Sequence, residues 1–293
     1  MKLALGGAQF GLAYGVSNRS GQVSREAARD IVGLARAGGV DTIDTAIAYG
    51  DSEACLGEVG VAGFRVVTKL PALPEDVDSV EAWVRGQIEA SFARLGVTRI
   101  HGLLLHRAEQ LEGPHGQALA HALQALKQEG RVAKVGVSIY EPEQLASIMR
   151  VCAPDLVQAP LNLLDRRLVT SGWLQRLHDA GVEVHTRSAF LQGLLLMPRA
   201  AIPARFERWN PLWDAWHGWL NAHAVTATRA CLQYPLSLPQ VDRVVVGVAS
   251  AEEFKSLLRD CADAEVAAPL PLPDLACTDA DLINPSNWNQ AAS

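Results

Sequence analysis

KLALGGAQFG, residues 2–11, decides the fold. An apolar run of strand composition ends at a glycine pair. A strand opening the dinucleotide site of a doubly wound sheet would be followed by G-x-G-x-x-G at the start of a helix. GGAQFG has neither that spacing nor an obvious helix behind it. The question passes to what repeats downstream. Seven more short apolar runs follow: DTID (41–44), RVVTKL (65–70), IHGLLLH (100–106), VAKVGVS (132–138), DLVQAP (155–160), VEVHTRS (182–188) and DRVVVGV (242–248). Longer segments of helical period separate them. Parallel strands need helical crossovers, and eight of them close a sheet, so the expected architecture is α/β, a single-domain (β/α)8 barrel of the TIM type.

The helix signals agree with that order. In SREAARDIVGLARAGG, Ser24 is placed to cap and Gly38 and Gly39 to terminate. A second helix is expected from Ser79 to Gly96, and a third over EPEQLASIMRVC, with Pro142 in its first turn. The barrel is expected over residues 1–265, with a long connection at 189–223 that exceeds a plain loop and suggests function. Residues 266–293 read as a C-terminal tail packing on the barrel, joined by the Pro-rich AAPLPLPDLA (267–276).

Composition excludes several classes of function. With 293 residues, 49% hydrophobic and 20% charged, the chain can fill a sizeable core. A net charge of -6 with dispersed Lys and Arg offers no footprint for nucleic acid or anionic membrane. No run approaches the roughly 18 apolar residues of a membrane span. Cys55, Cys152, Cys231, Cys261 and Cys277 are odd in number and never CxxC, which speaks against disulfides or zinc and for the reducing cytoplasm. Glycines at 6 and 7 interrupt the opening run before a signal core can form, so it reads as a strand.

Barrel active sites gather at the C-terminal ends of the strands. Asp44 ends the second run, Tyr49 lies in the loop behind it, Lys69 is near the end of the third, and His106 ends the fourth. A tyrosine phenol of pKa about 10 needs a shift of roughly 3 units, about 4 kcal/mol, to donate a proton efficiently near pH 7. The expectation is that the Lys69 ammonium stabilises the phenolate, with Asp44 holding Lys69 charged and aimed. A neutral His106 can hydrogen-bond a substrate carbonyl. The four together read as a carbonyl polariser with a general acid.

DTAIAYGDSEACLG, VVTKL and LLLH resemble, in order and spacing, the three segments that carry the Asp, Tyr, Lys, His tetrad of the aldo-keto reductases. The resemblance implies hydride transfer between a nicotinamide cofactor, NAD(H) or NADP(H), and an aldehyde, ketone or sugar carbonyl, with no metal. It places Asp44, Tyr49, Lys69 and His106 in the tetrad, Tyr49 being the acid or base, and puts Gly7, Ala8 and Asp44 beside the cofactor. GVSIY (136–140) is similar to the family's GVSN segment, which makes Ser138 a carboxamide contact, with Ile139 in place of Asn. Gln158 matches the family's Gln beside the nicotinamide. In HTRSAFLQG (185–193), Arg187 stands where an aromatic often stacks, and Ser188, Gln192 and Gly193 lie along the pyrophosphate. VVVGVASAEEFKSLL is similar to the family's last phosphate segment, but Gly247, Ala249 and Glu253 occupy places where NADP-preferring members carry Lys or Arg. The resemblance therefore implies NAD over NADP. Ser256 and Leu257 replace the usual Glu and Asn, which weakens the adenine site. The ending INPSNW (283–288) resembles bacterial members associated with sugar metabolism, so the expected partner is a small carbonyl or sugar substrate, bound by a monomer or small homo-oligomer.

Simpler readings stand beside these. Singly, Tyr49, Lys69 and His106 suit a loop tyrosine, a snorkelling lysine and a core histidine. His101 differs from His106 by an odd number of strand positions and reads as structural. Asp51 and Glu53 read as a cap and a first-turn acid of the next helix. Trp209, Trp213, Trp216 and Trp219 recur at helical spacing, which favours core packing over a pocket wall. His115, His121, His178, His185, His217 and His223 have no metal-ligand spacing. Two rival functions remain: an inactive NAD(H)-binding regulatory protein, and a lyase or aldolase using Lys69 as a Schiff-base nucleophile.

Overall fold

The structure, a computed structural model, describes residues 1–266 and 271–292. Eight parallel strands close into a barrel in chain order: β1 Leu3–Gly6, β2 Thr42–Asp44, β3 Arg65–Leu70, β4 Ile100–Leu105, β5 Val132–Ser138, β6 Leu156–Pro160, β7 Glu183–Arg187 and β8 Arg243–Gly247. All eight expected runs are strands, each within two residues of its expected ends. Pairing of β1 with β8, Leu3 beside Val244 through Gly6 beside Gly247, closes the ring.

The outer helices are α1 Arg25–Ala37, α2 Ser52–Val59, α3 Val80–Leu95, α4 Gly116–Gln128, α5 Leu145–Val151, α6 Trp173–Asp179, α7 Ala227–Ser237 and α8 Ala251–Val266. Ser24 caps α1 by accepting the Ala27 amide at 3.2 Å, and Ser79 caps α3 by accepting the Ala82 amide at 3.3 Å. Gly96 ends α3 in the left-handed conformation, φ 66°. Pro142 opens a tighter 3₁₀ turn, Pro142–Gln144, that leads into α5. Asp51 stands before α2, but its side chain caps no amide. Its backbone (φ -84°, ψ 8°) lacks the extended geometry that aims a capping oxygen at the helix, so the expected cap is not made. Glu53 is a first-turn acid, as expected, and is buried as well, accepting from Thr68 Oγ1 at 2.7 Å, Ser91 Oγ at 2.6 Å and Arg94 Nε at 2.8 Å, which ties α2 to β3 and α3.

One apolar core lies between the strands and their helices, and a small inner layer of Val67, Leu104 and Leu156 fills the barrel. Below that layer, at the N-terminal end, Glu183 meets Lys134 at 2.6 Å, His185 at 2.7 Å and His101 at 3.1 Å. Burial opposes the Glu183 charge, but hydrogen bonds from the two histidines and Lys134 outweigh it and hold the carboxyl well below its usual range. His101 is structural, as expected.

The 189–223 connection is built of short 3₁₀ segments followed by a helix, Asn210–His223. Trp213 and Trp216 are fully buried there, donating to Phe206 O and Leu195 O at 3.0 Å each. They belong to a second core with Leu275, Leu282, Ile283 and Trp288 of the C-terminal segment, and the Cys277 amide donates to Leu164 O. The expected Pro-rich joint begins in residues 267–270, which lie outside the described set. Among the described residues no helix is long and apolar enough to cross a membrane, and none of the five cysteines forms a disulfide.

Candidate active site

The four tetrad candidates converge because neighbouring strands deliver them. Pairing of β2 with β3 sets Asp44 beside Val67, two residues from Lys69. The Thr45 amide donates to Val67 O at 2.8 Å and the Ile47 amide to Lys69 O at 3.1 Å, extending the ladder into the turn that carries Tyr49. The His106 amide donates to Leu70 O at 3.1 Å, which sets the imidazole at the same rim.

Lys69 is fully buried. Its Nζ donates to Asp44 Oδ1 at 2.8 Å, Asp44 Oδ2 at 2.7 Å and Thr45 O at 2.9 Å. Both Asp44 oxygens belong to one carboxylate, so a single N–H can bifurcate between them while a second meets Thr45 O. Gln158 Nε2 donates to Asp44 Oδ1 at 2.6 Å. The Lys69 charge lies 5.3 Å from the centroid of the Tyr49 ring, and that ring meets His106 edge-on at 5.6 Å. The Tyr49 phenol has no hydrogen-bond partner among the described residues.

Electrostatics follow from this packing. Burial pulls Lys69 below the ordinary lysine range while Asp44 works against it. Burial, then the Asp44 charge, pushes the Tyr49 phenol well above its usual value, and the Arg187 charge opposes them. His106 is lowered to about 4 by burial and then by the Lys69 and Arg187 charges, so it is neutral near pH 7, as expected. Burial and Asp44 hold the phenol up against the lowering expected from Lys69, whose ammonium is engaged by Asp44 and Thr45. A Schiff-base role meets the same obstacle, since a nucleophilic amine needs a free lone pair and an approach path.

Beside the tetrad runs a cleft of about 370 Å³, within the usual range for small-molecule sites. Gly7, Ala8, Asp44, Tyr49, Gln158, Arg187, Ser188, Gln192, Gly193, Gly247, Ala249 and Glu253 all line it. Ser138, buried at the end of β5 beside Gln158, lies behind the wall rather than on it. Lys69, fully buried, and His106, half-buried beside the Tyr49 ring, are not part of that lining.

Sequence reasoning missed one wall of the cleft. Tyr14, Gly15, Ser17, Asn18, Arg19 and Ser20 line it from the segment after β1. Asn18 Oδ1 accepts the Ser20 and Gly21 amides at 2.9 and 3.0 Å, making a tight turn. The Val16 amide donates to Gln192 O at 3.0 Å and Gln192 Nε2 donates to Tyr14 Oη at 3.1 Å, bridging the cleft. The Asn and glycines of GVSNRSG were the available signal.

The residues present suit a nicotinamide dinucleotide. Gln158 Oε1 and Gln9 Oε1 are buried acceptors without a protein partner, and both residues line the cleft. A carboxamide or ribose donor would satisfy them. At the entrance to α8 the Ala249 amide donates to Glu253 Oε2 at 2.7 Å, so a carboxylate already holds an amide that a phosphate could use.

Comparison with known proteins agrees with the geometry. Over 175 residues the chain is 30% identical to aflatoxin B1 aldehyde reductase member 2 of Rattus norvegicus, covering 54% of this chain and 46% of that protein. It is 28% identical over 188 residues to D-threo-aldose 1-dehydrogenase of a Pseudomonas species, covering 60% and 57%. The chain thus spans about half the length of these curated relatives. Among solved structures, an aldo-keto reductase of Bacillus halodurans in its holo form superposes with TM-score 0.72 at 20% identity, over 94% of this chain and 89% of that one. A glycerol dehydrogenase of Gluconobacter oxydans gives 0.64 at 22%, over 93% and 94%. At those identities the structures speak for the fold alone. The profile of the Aldo/keto reductase family matches residues 2–267, nearly the whole chain, and the protein belongs to that family.

Proposed function

We propose that the protein is a cytoplasmic NAD(P)(H)-dependent oxidoreductase that reduces an aldehyde, ketone or sugar carbonyl, or oxidises the alcohol in reverse, and prefers NAD(H). One observation carries this reading: the Tyr49 phenol, without a protein partner, stands beside neutral His106 and the Asp44–Lys69 pair at the wall of a cleft with unpaired buried acceptors.

Gln158, Gln9 and the β7 loop would hold the cofactor. When bound, it supplies the hydride. His106, neutral near pH 7, hydrogen-bonds the carbonyl oxygen and orients it toward Tyr49. Tyr49 gives its proton to that oxygen as charge develops there. Asp44 and Lys69 neutralise each other and brace the β2 and β3 ends, while Gln158 shares Asp44. The NAD(H) preference rests on Glu253, which places a negative charge at the α8 entrance, where a 2′-phosphate would be repelled.

Titration with NADH and NADPH, followed by Tyr49→Phe kinetics on aldehydes and sugars, tests the reading. The expected result is retained cofactor affinity with a rate loss on the order of 10² to 10⁴. A near-normal rate in the variant would sink it.

A further inference from the structure

Gln9 has an anchored backbone and an unpaired side chain. It belongs to the short helical turn Ala8–Gly11 behind β1, and its carbonyl accepts the Val23 amide at 2.9 Å. Gln22 Nε2 donates to Phe10 O at 2.9 Å and Ser52 Oγ to Gly7 O at 2.7 Å, so the turn is tied down on both sides. Yet Gln9 Oε1 is buried with no hydrogen-bond partner among the described residues. A buried amide oxygen left in that state costs free energy until something supplies a donor.

Gly247 shows where the side chain lies. It stands beside Gly6 in the pairing of β1 with β8, and a β carbon added to it would overlap Gln9 Oε1 and come within 2.7 Å of Nε2 and 2.8 Å of Cδ. Its φ is outside the left-handed region, so its own backbone does not require a glycine. The space serves Gln9. Gly6, Gly7 and Gly247 all line the cleft with Gln9, which leaves the amide approachable across a surface without side chains.

The donor can be identified by elimination. A dinucleotide with its ring at Tyr49 and its far end at the α8 entrance brings its carboxamide to Gln158, which Asp44 holds at the Tyr49 end. Its diphosphate is ionised near pH 7 and offers acceptors only. Gln9 lies over the end of β8, two residues before Ala249, and so between those two ends. The donors that remain there are the hydroxyls of the nicotinamide-side ribose. Building on the reductase reading, we propose that Gln9 binds this ribose, Oε1 accepting from one hydroxyl and Nε2 donating to the other, and that Gly247 is a glycine so that the amide can lie there. Holding the ribose fixes the place of the attached ring beside Tyr49.

Equilibrium binding of NADH, ADP-ribose and ADP to the full chain tests this, because ADP-ribose keeps that ribose without the nicotinamide and ADP lacks both. Gln9→Met, which fills the same space with no hydrogen-bonding group, is expected to weaken NADH and ADP-ribose by about tenfold and to leave ADP within a factor of about two. Gly247→Ala, whose methyl displaces the amide, should reproduce the loss, and adding it to Gln9→Ala should cost no further binding. Should Gly247→Ala fail to fold, the two Gln9 variants decide alone. Unchanged NADH and ADP-ribose affinities in Gln9→Met, or an equal weakening of ADP, overturn the proposal. Failure of the reductase reading is distinct, since it would show in the wild type as no binding of NADH and no NADH-linked carbonyl reduction.

Discussion

Gly11 lies against the carbonyl of Tyr49 so closely that a β carbon at position 11 would overlap that oxygen. The contact couples the GGAQFG turn after β1 to the turn that presents the phenol, where Gly50, at φ +52°, packs against the Gly11 carbonyl. Gly11→Ala is therefore expected to cost on the order of 1–3 kcal/mol in stability and to displace Tyr49. Urea unfolding together with kcat on a reducible aldehyde checks both. A variant with normal stability and rate would contradict the contact.

Lys69→Met would leave the Asp44 carboxylate buried with only Gln158 Nε2 as a side-chain donor. Removing one partner of a buried ion pair costs about 3–5 kcal/mol, and such a loss is expected in chemical denaturation. The double variant with Asp44→Asn should recover part of it, because the orphaned charge is gone. Additive losses in the two single variants would argue that the pair is energetically independent.

His106 makes stability depend on pH. Its folded pKa is about 4 against 6.5 for a free histidine, so the unfolded chain binds more protons between those values. Stability is therefore lost as pH falls from 6.5 towards 4, by up to about 3 kcal/mol for this group. His106→Gln lacks this loss, so its stability relative to wild type should improve as the solution is acidified. Urea midpoints at pH 7 and pH 4.5 for the two proteins give the sign directly.

Glu253 is expected to govern the cofactor. In Glu253→Arg the Ala249 amide is freed and a guanidinium takes the place of a carboxylate. NADPH affinity should rise about tenfold or more relative to NADH, read by nucleotide fluorescence. An unchanged ratio would mean that this end of the cleft does not meet the 2′-position.

Glu183→Gln should lower stability by about 2–3 kcal/mol, because it removes the negative charge and one of the two acceptor oxygens that hold Lys134, His101 and His185 together while part of the cluster stays hydrated. The kcat should stay within a factor of two or so of the wild type, as the cluster lies at the barrel's far end. Thermal unfolding and steady-state kinetics on the same preparation separate the two effects.

Much of this was legible in the primary structure. Short apolar runs such as RVVTKL end where strands end, because the turn residues and helix caps that bound them are local. The tetrad followed from the barrel, which puts strand ends on one rim. What escaped was set by partners far along the chain. Lys69 is held by both Asp44 oxygens and the Thr45 carbonyl, a partner that residue types alone do not name. Glu53, which reads as a first-turn acid, is claimed by Thr68, Ser91 and Arg94. The 14–20 wall of the cleft is tied down by Gln192, across the barrel mouth.

Strand β7 carries Glu183 at one end and Arg187 at the other, about 13 Å apart at the rise of a parallel strand. Mutations can therefore accumulate near Arg187 to explore new substrates while the ionic plug around Glu183 keeps the molecule folded. Directed evolution of a new specificity in this scaffold should begin at the Arg187 end and leave the Glu183 end untouched.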